Sequence, residues 1–295
     1  MLPGKRASSG AVFRGGRSVW NGRLVTIWLV ASLIFFSMWT PSARADDPVA
    51  AETCRGKEEI VILLYHRFST GATGETTVRF ENLLAQLAYL RHRGYEFRSL
   101  REVVGWRKGL VVELPCKTAV FTVDDGHRST FDILQPVIKA NQIPVTLFIY
   151  PSAISNASYA MTWDQLSILR DTGLFDIQSH TVWHPNFKTE RRRLTPAAYR
   201  VFVADQLSQS RMLIENRVGG QVDFIAWPFG IHDEALESIA SREGYVAGFA
   251  LGNRRLSKRD PLLAMPRITM PDVGDAAALD HFFHPLESAA ATDGQ

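Results

Sequence analysis

The sequence predicts an α/β protein: one domain whose parallel βα units, about seven of them, form a closed or nearly closed barrel. Three observations point there. Short apolar, β-branched runs recur along the chain with helical stretches between them, the order that builds parallel βαβ units. The runs are continuous rather than alternating, as expected of strands buried on both faces. Once the N-terminal segment is set aside, about 250 residues remain, a normal size for one α/β barrel.

Glu59–Tyr65 (EIVILLY) reads as the first buried strand. Leu83, Leu84, Leu87 and Leu90 then recur at helical spacing over Phe80–His92, with Gly94 as the stop signal. Tyr95–Leu100 is a short strand and Thr118–Val123 (TAVFTV) a buried one, followed by a helix over residues 130–141. Pro144–Tyr150 is a strand, Thr162 caps a helix running to Gly173, and Phe175–Gln178 is the next strand. A long helix spans residues 196–218, with Phe202, Val203, Leu207 and Ile214 on one face. Val222–Trp227, a helix over residues 233–242, Tyr245–Leu251 and a short strand at Arg267–Met270 complete the pattern. Residues 272–295 read as a polar, Ala-rich, loosely held tail.

The chain has 295 residues, 46% hydrophobic and 21% charged, with a net charge of +3 that gives no reason to expect nucleic-acid binding. Much of the excess lies in a basic leader: Lys5, Arg6, Arg14, Arg17 and Arg23 precede the uncharged apolar run Leu24–Trp39 and the small-residue pattern Ala43-Arg44-Ala45. That order describes a secretory signal peptide over residues 1–45. An uncut signal anchor, and hence membrane association, is the alternative, because the run is long for a signal and slightly short for a span. Both place the catalytic part outside the cytoplasm, in the periplasm or at the cell surface. Cys54 and Cys116 each precede a strand; an oxidising compartment permits a disulfide, and two free thiols are equally compatible with the spacing.

The chemistry collects at one end of the strands. EIVILLY ends in His66, TAVFTV in Asp124-Asp125-Gly126, FDIQ in Ser179-His180 with His184 four residues on, and VDFIAW in Pro228-Phe229-Gly230. In a parallel barrel these C-terminal tips share the face where active sites are built. Two adjacent buried carboxylates repel unless a cation binds one and leaves the other free as a base. Taken alone, Asp-Asp-Gly is more often a surface turn. Histidines at i and i+4 fall on one face of a helical turn and can close on one metal, although an isolated pair is more often merely structural. Together they make one carboxylate and two imidazoles with open positions, the make-up of a catalytic rather than a structural metal site.

At these residues the sequence resembles the polysaccharide deacetylase family (carbohydrate esterase family 4, the chitooligosaccharide deacetylase homology domain), over roughly Glu58 to Met270. Thr122-Val123-Asp124-Asp125-Gly126 resembles the family's T-F-D-D-G motif, which implies Asp124 as base and Asp125 as metal ligand. His180-Thr181-Val182-Trp183-His184 resembles its H-[ST]-x-x-H motif, which implies both histidines as ligands. The fold implied is a distorted, incomplete (β/α)7-type barrel, and the cofactor one divalent ion, zinc first, with cobalt, nickel or iron also suited to the donor set. Ala226-Trp227-Pro228-Phe229-Gly230 resembles R-x-P-[YF]-G with Ala226 where Arg is usual, so Arg267 is the candidate substitute for orienting the base.

Leu64-Tyr65-His66, Met161–Leu166 and Pro266-Arg267-Ile268 are similar to the branch acting on poly-β-1,6-N-acetylglucosamine. The resemblance implies a metal-dependent N-deacetylase of an N-acetylated polysaccharide over residues 46–271. His66 is then the candidate acid, the Phe229 N–H the oxyanion donor and Asp164 a candidate orienting residue; Trp183, Trp227 and the Phe229 ring line a sugar groove. A peptidoglycan or chitin deacetylase shares these ligands, and a non-catalytic carbohydrate-binding relative is a more distant reading. A two-metal phosphoesterase is disfavoured by the lack of further carboxylates.

Overall fold

The computed structural model describes Cys54, residues 58–111 and residues 113–288; the expected leader, residues 1–45, lies outside the described residues. Strand β1 (Glu59–Tyr65) leads through a small ribbon, β2 (Arg67–Ser69) and β3 (Thr77–Arg79), into helix α1 (Phe80–His92). Gly94 follows at φ +82°, the left-handed stop that its position predicted. Then come β4 (Glu96–Phe97), α2 (Leu100–Arg107) and β5 (Lys117–Val123). A π-helical turn (Thr130–Leu134) runs into α3 (Gln135–Asn141), followed by β6 (Val145–Ile149), α4 (Trp163–Asp171) and β7 (Phe175–Ser179). The chain continues with α5 (Phe187–Arg193), α6 (Pro196–Arg217), β8 (Phe224–Ala226) and α7 (Glu234–Arg242). It ends with β9 (Ala247–Leu251), β10 (Met265–Thr269) and α8 (Ala276–Ser288).

Seven strands close into a barrel in the order β1-β10-β9-β8-β7-β6-β5, with β5 returning to β1 and β4 added outside β5. Every pair in the barrel is parallel. The closing seam is the longest, from Glu59↔Lys117 to Tyr65↔Val123. The barrel is distorted at β7–β8, which meet only at Ser179↔Ile225. There the buried Gln178 side chain stands in for the ladder: its carbonyl accepts from the Asp223 and Phe224 N–H groups and its amide donates to the Gln221 carbonyl.

Period-2 alternation sorts the strand residues into two apolar clusters. Ile60, Ile62, Val120, Phe148, Phe224, Phe249 and Met265 form one, packed with Leu100, Val103 and Trp106 of α2. Val61, Leu63, Phe121, Val123, Leu147 and Ile177 pack with the surrounding helices in the other. Helix α2 is capped by Ser99, whose hydroxyl accepts from the Glu102 N–H while Glu102 reaches back to the Ser99 N–H.

Of the expected loosely held tail, the described part, residues 272–288, is packed instead. Asp272 accepts from the Arg79 and Asn82 side chains at 2.8 and 2.6 Å, and Leu279 and Phe283 of α8 are buried, Phe283 stacking on Tyr89 of α1. The alanines hide a helix whose apolar stripe has a partner. Cys54 and Cys116 form a disulfide with Cα atoms 5.1 Å apart, which tethers the chain ahead of β1 to the start of β5. Among the described residues no helix is long and apolar enough to cross a membrane.

Candidate metal centre and active site

Strand register delivers the site. The β1–β5 ladder runs one step past β5, the Asp124 N–H donating to Tyr65 O at 2.9 Å. The β6–β7 ladder likewise ends on the His180 N–H, bonded to Ile149 O at 2.8 Å. Asp124, four residues after Val120, and Arg267, two after Met265, inherit the parity of the residues in the α2-packed cluster. They meet there. Arg267 is 1% exposed and grips Asp124 through two parallel hydrogen bonds of 2.7 and 2.6 Å. Its second contact is the Thr122 hydroxyl at 3.3 Å, and its guanidinium lies 5.3 Å over the Phe148 ring. The position of the missing arginine, Ala226, is filled by a small buried side chain two strands away in the barrel order.

Asp125 and Gly126 both take the left-handed conformation, at φ +72° and +69°, which swings the second carboxylate over the barrel mouth beside the first. A Cβ on Gly126 would meet Ile154 at 2.9 Å. The histidine pair does not lie on a helical turn as its spacing suggested. Thr181 and His184 sit at φ +66° and +62°, and Pro185 disfavours a right-handed helical conformation in the residue before it. The loop is held instead by side chains: the His184 N–H donates to the Thr181 hydroxyl, and the Val182 and Trp183 N–H groups donate to Gln206 of α6.

The result is nevertheless a three-donor cluster. One ligand atom each from Asp125, His180 and His184 lies within 4.8 Å of the other two. His180 shares its Nδ1 hydrogen bond with Ala226 O at 2.7 Å. That leaves Nε2 facing the carboxylates, 3.7 Å from Asp124 and 3.8 Å from Asp125. A backbone acceptor behind a ring nitrogen is the usual support of a metal-binding histidine. The donors fit a divalent ion: one carboxylate, two imidazoles oriented from behind, and access through the half-buried Asp125.

Electrostatics sort the two carboxylates. Burial pushes Asp124 up, but Arg267, His180 and His66 overcome it and hold the carboxyl at about 2. Burial raises Asp125, His66 opposes that, and the Asp124 charge raises it further; a cation at that point relieves the strain. Burial also depresses both imidazoles, His180 to about 3. Both rings are therefore neutral near pH 7, the form that binds metal.

Of the other residues singled out in the sequence, His66 lies partly buried beyond the tip of β1, close enough to act electrostatically on both Asp124 and Asp125. Phe229, at φ +57°, turns its 57%-exposed ring edge-on to His184 with centroids 4.6 Å apart. Among the described residues its N–H donates to no protein acceptor. Trp183, the residue before His184, is exposed, with its ring 6.0 Å from that of Phe202. Trp227 is not in the groove: it is 1% exposed, donates its indole N–H to Leu263 O at 2.7 Å and packs edge-on to Phe187. The kink at Phe229 sends that ring outward while its neighbour two residues back stays in the core. Asp164 is exposed in the first turn of α4, where a helix dipole favours an acid, and no hydrogen bond among the described residues joins it to the cluster. Two further residues, Gln206 and Tyr150, carried no motif. Tyr150 lies just past the tip of β6 with its ring 5.6 Å from that of His184, at a strand tip like the residues that were recognised.

Comparisons with known proteins bear on the same residues. Residues 112–248, which hold Asp124, Asp125, His180, His184 and Phe229, match the family model for polysaccharide deacetylases. A poly-β-1,6-N-acetyl-D-glucosamine N-deacetylase of Staphylococcus aureus (strain MRSA252) is 22% identical over 193 residues, covering 64% of this chain and 66% of that one. The Streptococcus pyogenes deacetylase PplD, solved in complex with acetate, superposes with a TM-score of 0.66 at 22% identity, covering 76% of this chain and 97% of its own. IcaB from Ammonifex degensii superposes with a TM-score of 0.65 at 22% identity, covering 79% and 96%. The barrel is shared with both structures. The family match covers residues 112–248, and there the residues of its two motifs gather at one barrel mouth, so over that stretch the chain is similar to the polysaccharide deacetylases, hydrolases of amide bonds.

Proposed function

We propose that this chain removes N-acetyl groups from an exported N-acetylglucosamine polymer of the poly-β-1,6-linked type, releasing acetate. One observation carries the reading: a buried carboxylate, Asp124, held ionised by Arg267 directly beside three convergent metal donors. Asp125, His180 and His184 would hold the ion, zinc first, with cobalt, nickel or iron suited to the same donors. A divalent ion there would polarise the acetyl carbonyl and lower the pKa of a water to about 7, which lets so weak a base as Asp124 accept its proton.

The chain's own residues do the rest. Asp124 takes the proton as the water oxygen bonds to the carbonyl carbon. The Phe229 N–H, without an acceptor among the described residues, donates to the oxyanion. As the carbon–nitrogen bond breaks, His66 gives a proton to the departing sugar nitrogen, leaving acetate and a free amine. The position of Arg267 on β10, in place of an arginine at residue 226, and the Staphylococcus aureus relative support the β-1,6-linked polymer. The Ala43-Arg44-Ala45 pattern and the Cys54–Cys116 disulfide support export. Acetate release from β-1,6-linked N-acetylglucosamine oligomers, chitooligosaccharides and peptidoglycan tests the reading. Highest kcat/KM on the first supports it; preference for either of the others moves the substrate, and no release from any of them overturns it.

A further inference from the structure

A second group of aromatic rings adjoins the site through His184. Tyr150 follows β6 and Tyr159 lies nine residues on, and their hydroxyls are 2.5 Å apart. The His127 ring lies nearly parallel to Tyr159, at 10° and 6.2 Å between centroids. The two loops that carry these rings are pinned together: His127 and Ala160 form an isolated bridge, and the Arg128 N–H donates to Tyr159 O at 2.8 Å. Yet Tyr159 remains 38% exposed, in a loop whose larger aliphatic side chains, Ile154 and Met161, are buried. The ring is thus fixed at its hydroxyl and backed by an imidazole while its face stays open to solvent, the arrangement of a preformed contact surface.

The surface is continuous with the metal site. Tyr150 lies 5.6 Å from the His184 ring, and His184 lies 4.6 Å from Phe229 between centroids. Tyr159, Tyr150, His184 and Phe229 thus make an unbroken aromatic rim with the candidate metal ligand in the middle. Polymers of pyranose rings present apolar C–H faces edged by hydroxyls, and a ring flanked by two phenolic hydroxyls matches both features.

We propose that Tyr159, fixed by Tyr150 and His127, is a platform for the sugar next to the one being deacetylated. It is a positioning residue that makes the protein bind chains in preference to single sugars. This rests on the carbohydrate reading above but is separable from it, because it is read by binding rather than by turnover.

The test is the dissociation constant of the full-length Asp124→Asn protein for a β-1,6-linked hexamer of N-acetylglucosamine and for the monosaccharide. Adding Tyr159→Ala should weaken hexamer binding on the order of tenfold, about the worth of one aromatic contact, and leave the monosaccharide unchanged. Tyr159→Phe, which keeps the ring and loses the hydroxyl that fixes it to Tyr150, should fall between the parent and Tyr159→Ala for the hexamer and leave the monosaccharide unchanged. Equal hexamer affinity in Tyr159→Ala, an equal loss for hexamer and monosaccharide, or a parent that binds no hexamer would each overturn the platform. Failure of the deacetylase reading would appear separately, as wild-type protein that releases no acetate.

Discussion

Replacing Arg267 by Met should turn a fully buried ion pair of the barrel into a liability whose size depends on pH. In the wild type Asp124 is lowered from 3.8 to about 2. A shift of that size corresponds to about 2–3 kcal/mol of stability. Because the folded value lies below the unfolded one, that stability is present above about pH 4 and lost as pH falls towards 2. In Arg267→Met the burial that raises the carboxyl is opposed only by the histidines, and an unpaired buried charge costs about 3–5 kcal/mol. The folded value then rises above the unfolded one, so acidification protonates Asp124 and relieves the penalty. Urea unfolding with chelator present is the assay. We expect a loss of about 3–5 kcal/mol at pH 7, shrinking as pH is lowered towards 4. A double-mutant cycle with Asp124→Asn should return a coupling of at least about 2 kcal/mol. A loss under about 1 kcal/mol, the size of an exposed pair, or one that does not vary with pH would refute the assignment of Arg267 as the charge that holds the base.

Other outcomes follow from the same geometry. Asp124→Asn should abolish acetate release while the metal content, measured by elemental analysis, stays near that of the wild type. Gly126→Ala, forced to keep a left-handed φ with Ile154 2.9 Å from the new Cβ, should lose at least about 1–2 kcal/mol in denaturant unfolding. Reducing the Cys54–Cys116 bridge, which spans 62 residues, should cost about 2–4 kcal/mol, read as a lower urea midpoint. Gln206→Ala removes the acceptor of two loop N–H groups and should weaken zinc binding about 10–100-fold, as loss of a ligand's support does, with little change in urea midpoint.

Most of the barrel was legible because strands buried on both faces leave continuous apolar runs, and the chemistry was legible because those runs end in polar residues on one face. What local patterns misjudged has local causes. The spacing of His180 and His184 suggested a helical turn, yet Pro185 already argued against one. Trp227 looked like a groove residue because it precedes Phe229, and only the backbone kink at Phe229 separates an outward ring from a buried one. Helix α2 was missed, because its capping box, Ser99 and Glu102, begins inside what reads as the strand Tyr95–Leu100. Arg267 could be suggested only by likeness to a family branch, since no spacing rule connects β10 to the tip of β5. Tyr150 and Tyr159 belong to no motif, and their pairing appears only when the loops fold together.

The most direct measurement is anomalous diffraction from crystals soaked with zinc after chelation. The account predicts one peak at the barrel mouth, within about 2.0–2.3 Å of an Asp125 oxygen and a nitrogen each of His180 and His184, and no such peak in His184→Ala. A zinc ion bound elsewhere, or a vacant cluster at saturating zinc, would contradict it.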